Sequence, residues 1–246
     1  MSIIRNLPAL CRVANSLRVF NHYEKDIKAA RASGDPAKDR EVTGHAAYLW
    51  AQDVCRRLKL TVKVDGQENL PPDDGFLIIS NHQGYADIIA LLIAADQRQI
   101  GFIAKDSLEK VPMLGRWIRN IGGLFLKRGN PREAMKSLQE GAQKMKNGYN
   151  LVIFPEGTRS RETRMRHFKG GSFKMAFKAK VPIVPITLEG AYHVYEETGR
   201  YHPAEIRVQI HPYVETAGMD RHAQHEAEKN IEEVIRQALP NPEVLE

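Results

Sequence analysis

Phe76-Leu77-Ile78-Ile79 runs into Ser80-Asn81-His82-Gln83-Gly84-Tyr85-Ala86-Asp87, and then into Ile88-Ile89-Ala90-Leu91-Leu92. A short apolar run, a polar stretch holding a glycine and a second apolar run predict a buried strand, a turn and the start of a helix. In a continuous helix, residues five apart point roughly 140° away from each other, so only a turn brings His82 and Asp87 together. Gly84 supplies permissive backbone for that turn. An imidazole held by a carboxylate is the arrangement that fixes a histidine tautomer for general-base work. Two plainer readings stand beside it: His82 as a loop histidine, and Asp87 as a cap on the helix that follows.

The same alternation extends in both directions. Upstream, helical periodicity runs from Asn6-Leu7-Pro8 to about Ala32, with Asn6 as a cap and Pro8 in the first turn. Ile3, Ile4, Leu7, Leu10, Cys11, Ala14, Leu17 and Phe20 fall on one arc, and Arg5, Arg12 and Ser16 sit opposite. Such a basic amphipathic helix suits either an interfacial membrane anchor or a helix packed on its own domain. After Ser33-Gly34, Asp35 and Pro36 open a second helix that ends near Arg57. Residues 1–58 are therefore expected to form a two-helix amphipathic hairpin, and 59–246 one α/β domain. Its predicted strands are 61–64, 76–79, 99–104, 121–126, 150–154, 181–186 and 205–210. Helices are predicted over 87–95, around Trp117, over 130–147, over 172–179 and over 223–239. Strands alternating with helices predict a mixed, mostly parallel sheet flanked by helices. Pro182 and Pro185 place their strand at an edge or a bulge.

A chain of 246 residues, 42% hydrophobic and 27% charged, is ordinary enough to exclude disordered, collagen-like and disulfide-dense classes. The net charge of +6 and pI near 9.3 point to an anionic partner: nucleic acid, an acidic membrane surface or a phosphorylated small molecule. Cys11 and Cys55 make no metal spacing and no disulfide framework, which indicates a reducing compartment. No apolar run approaches the roughly 20 residues of a spanning helix, and Arg5, Arg12 and Arg18 interrupt any signal-peptide core. His222 and His225 fall in a charged helix and carry no metal expectation.

Several strand ends present functional groups: His82 with Asp87, Lys105, Arg128, and Glu156 with Arg159. Sites in α/β sheets form beyond the carboxyl ends of strands, so these groups are expected to meet in one crevice. Between Glu156 and Lys180, eight basic residues face only Glu156 and Glu162, which suits an anion site or an anionic lipid surface.

With Asn81-His82 and Asp87 as H-x4-D, and Phe154-Pro155-Glu156-Gly157-Thr158-Arg159-Ser160 downstream, the chain resembles the glycerolipid acyltransferases. The likeness is greatest to the 1-acylglycerol-3-phosphate acyltransferases of the bacterial lysophosphatidate type. Phe125-Leu126-Lys127-Arg128 looks like that family's second motif, and Val181-Pro182-Ile183-Val184-Pro185 like its fourth. The resemblance covers about residues 60–190. It implies acyl transfer from a thioester, acyl-CoA or acyl carrier protein, to the free hydroxyl of a lysophospholipid. His82 is then the general base and Asp87 orients it. Arg128 and Arg159 are assigned to the acceptor phosphate with Lys105 beside them, and Glu156 and Gly157, with Thr158 in the same turn, to the glycerol end. An internal Glu156–Arg159 ion pair is the plainer expectation for that turn.

No cofactor or metal is implied, and backbone amides near the start of the Asp87 helix are the expected oxyanion donors. Ile183 is expected either to border the acyl chain or to lie in a plain core strand. The resemblance places the chain peripherally or monotopically on the cytoplasmic face of a bacterial inner membrane, with anionic lipids as partners and no nucleic acid. Acylation of another lysolipid, such as lyso-ornithine lipid, is the alternative within the class. A non-catalytic protein binding anionic lipid or nucleic acid is the alternative outside it.

Overall fold

A computed structural model describes residues 2–111, 113–126 and 131–245, the side chains of 2–5, 131 and 134 excepted. Three helices come first: α1 (Ser2–His22), α2 (Glu24–Ala32) and α3 (Pro36–Leu58). The α/β part follows as β1 (Thr61–Asp65), β2 (Leu77–Ser80), α4 (Asp87–Ala94), β3 (Ile100–Lys105), α5 (Leu114–Asn120), β4 (Leu124–Leu126), α6 (Pro131–Lys146) and β5 (Asn150–Ile153). It closes with α7 (Lys174–Ala179), β6 (Ile183–Glu189), β7 (Glu205–Ile210) and α8 (Arg221–Gln237).

The expected mixed, mostly parallel sheet is present. Its order is β1-β7-β6-β2-β5-β3-β4, and every pair is parallel except β6 with β7. Side chains alternate across it. Ile78 and Val152 face a core shared with α3, α4 and Trp117 of α5, while Leu77, Ile79, Leu151 and Ile153 face α6, α7 and α8. Parallel strands buried on both faces explain the unbroken apolar runs Leu77-Ile78-Ile79 of β2 and Leu151-Val152-Ile153 of β5.

The N-terminal segment departs from expectation. The chain breaks at Tyr23, giving two helices against α3 in place of one; each carries a core residue, Phe20 and Ile27. Because α1 starts at Ser2, Pro8 lies inside it and Asn6 is no cap. Asn6 instead donates to the carbonyl of Gly199 and accepts from the amide of Tyr201. The face that packs holds Asn6, Ala9, Val13, Ser16 and Phe20, and buried Ser16 accepts a bond from the indole of Trp50. Of the apolar arc read from the sequence, Leu17 and Phe20 pack on the core, while Leu7, Leu10, Cys11 and Ala14 are left exposed. The α3 start matches the sequence: Asp35 caps it by accepting from Ala37 and Lys38, with Pro36 at the first position.

The strand carrying Pro185 is interior, between β7 and β2. It is tolerated there because pairing shifts by one residue between Ile183↔Val214 and Ile186↔Ile210, a bulge opposite the proline. Pro185 contributes only its carbonyl, to the amide of His211. Ile183 is fully buried among core residues, so it is core strand.

Candidate active site

The chain leaves β2 through Ser80 and Asn81. Asn81 prolongs the sheet with its side chain, donating to the carbonyl of Leu188 and accepting from that residue's amide. That anchors the start of the turn to β6 before His82 appears. The imidazole Nδ1 lies 2.7 Å from Asp87 Oδ2, and its ring stacks on Phe154, centroids 4.1 Å apart. The same Oδ2 accepts the amides of Gln83 at 2.7 Å and Gly84 at 2.9 Å. Asp87 thus binds the turn before it and not the helix after it; α4 has no side-chain cap. With Asp87 wholly buried and His82 20% exposed, Nδ1 is committed inward and Nε2 is the ring nitrogen left for a substrate.

The loop after β5, next to β2 in the sheet, clamps this turn. Glu156 accepts the amide of His82 on Oε1 at 2.6 Å and the amide of Arg166 on Oε2 at 2.8 Å. In return, the amides of Ser160 and Arg161 donate to the carbonyls of His82 and Gln83. Gly157, at φ +75°, makes the reversal that this requires. Each carboxylate oxygen of buried Glu156 thus accepts one backbone amide, so this side chain braces the turn that carries His82.

Burial, opposed by its two amide bonds, pushes the Glu156 carboxyl up to about 8 from an ordinary 4.5. Between those values the folded chain holds a proton that the unfolded chain has released. The stability this group confers is therefore complete below about 4.5 and is lost as pH rises through about 8. The melting temperature of the wild type relative to Glu156→Gln should fall by about 3 °C or more between these limits. A difference that stays constant with pH would contradict this.

Arg159 also departs from expectation, because its partner is not Glu156. Its Nη1 donates to Glu196 Oε1 at 2.6 Å, and its guanidinium lies 3.7 Å from the centroid of the Tyr85 ring. Lys105, at the end of β3, is exposed and has no ion-pair partner among the described residues. Arg128 lies outside the described residues. A cleft of about 410 Å³ joins what is described: His82, Lys105, Thr158 and Arg159 border it, and Phe102, Leu108, Leu114 and Trp117 supply apolar wall. A second cleft, of about 310 Å³, adjoins it across Ile103, Ala104, Phe154 and Gly157, but holds neither His82 nor Asp87.

Three amides of the turn leading into α4 are already engaged. Those of Gln83 and Gly84 go to Asp87, and that of Tyr85 goes to Glu196. Gly84 is not at positive φ; it is needed because a Cβ there would come within 2.5 Å of Glu196 Oε2. Asn81 and Glu196 carry the geometry as much as the motif residues do. Asn81 reaches Leu188 and Glu196 reaches Tyr85 across more than a hundred residues of sequence, and Glu196 reaches Arg159 across 37, so no local pattern announces them.

Residues 61–189 match the family model described as Acyltransferase. The chain belongs to the acyltransferase family. It is 31% identical to the crystal structure of the 1-acyl-sn-glycerophosphate (LPA) acyltransferase PlsC from Thermotoga maritima, with a TM-score of 0.77, covering 96% of this chain and 95% of that one. A chloroplastic 1-acyl-sn-glycerol-3-phosphate acyltransferase of Brassica napus is 36% identical over 168 residues, 67% of this chain and 48% of that protein. The Saccharomyces cerevisiae 1-acyl-sn-glycerol-3-phosphate acyltransferase is 40% identical over 134 residues, 53% of this chain and 44% of that protein. The chain thus spans about half the length of the curated relatives it matches. The family match ends at Glu189, short of Glu196.

Proposed function

We propose that the chain moves a fatty acyl group from an acyl thioester to the sn-2 hydroxyl of 1-acylglycerol-3-phosphate, giving phosphatidic acid. The observation that carries this reading is the 2.7 Å contact of His82 Nδ1 with buried Asp87, in an apolar cleft that also holds Arg159 and Lys105. His82 Nε2 takes the hydroxyl proton as the oxygen attacks the thioester carbonyl. The tetrahedral adduct then collapses, the carbon–sulfur bond breaks, and the thiolate takes the proton back from Nε2. The nucleophile comes from the substrate, so no enzyme serine is needed. Arg159 and Lys105 hold the acceptor phosphate, and the apolar wall takes the acyl chain. Glu156 and Asn81 hold the turn that carries the base.

Thiol release from acyl-CoA and from acyl carrier protein, each with a panel of acceptors, tests this. Release that requires lysophosphatidate is expected. Equal release with lyso-ornithine lipid would move the acceptor assignment, and release with no acceptor would overturn transfer.

The lipid substrates also favour a membrane surface. Among the described residues no helix is long and apolar enough to cross a bilayer. Surface attachment through α1 fits its exposed Leu7 and Leu10, flanked by Arg12 and Arg18, on the face turned away from α3. Attachment on the cytoplasmic face, to anionic lipid, is part of the same proposal. Deleting 1–58 is a poor test, since Trp50, Ala51 and Val54 of α3 belong to the main core. The double variant Leu7→Asp/Leu10→Asp removes only side chains 52% and 54% exposed. It should lose about tenfold or more in flotation with anionic vesicles at an unchanged melting temperature. Equal flotation would sink the attachment through α1.

A further inference from the structure

Glu196 lies outside every motif quoted above, in the loop that follows β6 and the 3-10 turn Ala191–Val194. Its side chain is 2% exposed, and one oxygen, Oε1, accepts both Arg159 Nη1 at 2.6 Å and the amide of Tyr85 at 3.0 Å. We propose that Glu196 is a positioning residue for the acceptor, holding Arg159 against Tyr85 in the orientation that receives a phosphate monoester. This rests on the acyltransferase reading given above.

A guanidinium has five N–H donors in a planar fork, and it recognises phosphate through paired donors on one edge. A free arginine side chain must give up much rotamer freedom to do this. Here one nitrogen is tied by a carboxylate and one face is covered by the Tyr85 ring, so that freedom is already lost, while the remaining donors have no hydrogen-bond partner among the described residues. The pair is sheltered, with Arg159 21% exposed, so water does not loosen it as it loosens surface pairs.

Glu196 also touches the turn that carries the base. The amide it accepts belongs to Tyr85, and Gly84 makes room for its other oxygen; both residues lie in the turn between His82 and Asp87. One carboxylate therefore sets the phosphate arm relative to the general base. A fixed spacing between anchor and base is what presents a hydroxyl to Nε2 in a reactive geometry.

Initial rates of the full chain with acyl-CoA and lysophosphatidate test the proposal. Glu196→Gln keeps the shape and an oxygen for the Tyr85 amide but removes the charge that ties Arg159. Acceptor KM should rise about three- to tenfold, with kcat changed less than about threefold and donor KM unaltered. In an Arg159→Ala background the same substitution should leave acceptor KM where Arg159→Ala puts it, because Glu196 acts through that side chain. Should Glu196→Gln fail to fold, Glu196→Asp, which keeps the charge and withdraws the oxygen, should raise acceptor KM in the same direction. An unchanged acceptor KM, an increase that multiplies independently of Arg159→Ala, or a loss confined to kcat would each overturn the proposal and leave a merely structural role. Wild-type thiol release that ignores lysophosphatidate is a different failure. It removes the acyltransferase reading and this assignment with it.

Discussion

His82→Ala should lower kcat for acyl transfer by about 10²- to 10⁴-fold, the usual worth of general-base assistance, while the protein stays folded. The fold should survive because the turn is held by backbone. Glu156 binds the amide of residue 82, Ser160 binds its carbonyl, and Asp87 keeps the amides of Gln83 and Gly84 when the imidazole is gone. What is lost is a partly exposed ring stacked on Phe154. Acceptor KM should move little, since Arg159 and Lys105, the cations proposed to hold the phosphate, lie elsewhere in the cleft. Thiol release under saturating lysophosphatidate, with a melting curve beside it, gives both readings. A folded variant that keeps wild-type kcat would end the base assignment.

What was legible in the sequence, and what was not, divides along the range of the interactions involved. Apolar runs announced β2 and β5, because strands buried on both sides have no polar face to hide. Asp35-Pro36 announced α3, because a cap acts within three residues. Spacing showed that only a turn could join His82 to Asp87, and left the loop histidine and the helix cap standing beside that reading. The break at Tyr23 was illegible, because periodicity continues through it. Of the edge and the bulge that the prolines allowed for β6, the structure has the bulge; which of the two held was not legible, since the extra residue lies on another segment, around His211–Val214.

The site shows the same division more sharply. Nearness in sequence suggested pairing Glu156 with Arg159, yet the chain reverses at Gly157 between them and sends the two side chains apart. Glu156 goes inward to amides at His82 and Arg166, and Arg159 goes to Glu196. Types of residue were therefore readable where their partners were not. The H-x4-D spacing placed Asp87 beside His82, but not the manner in which its oxygens are used.

That manner decides how Asp87 should respond to substitution. Three donors converge on Oδ2, while Oδ1 is buried with no partner among the described residues. Asparagine can place its carbonyl oxygen where Oδ2 stood and keep all three bonds, leaving its NH2 in the unpartnered position. The opposite rotamer forfeits two amide acceptors and forces the proton of His82 onto Nε2, so it is disfavoured. Asp87→Asn should thus preserve the tautomer that leaves Nε2 able to accept a proton, and lose only the negative charge that steadies the imidazolium. A fall in kcat of about 10²-fold is expected, with a modest loss of stability from the buried, unpaired NH2. Asp87→Ala removes the acceptor itself. It frees the ring and leaves the amides of Gln83 and Gly84 buried without partners, so kcat should fall by about 10³- to 10⁴-fold and the melting temperature should drop further than in Asp87→Asn. The ordering of the two variants is the test. Equal losses in kcat would mean that Asp87 works through its charge alone, and a larger loss in Asp87→Asn would mean that the tautomer had flipped.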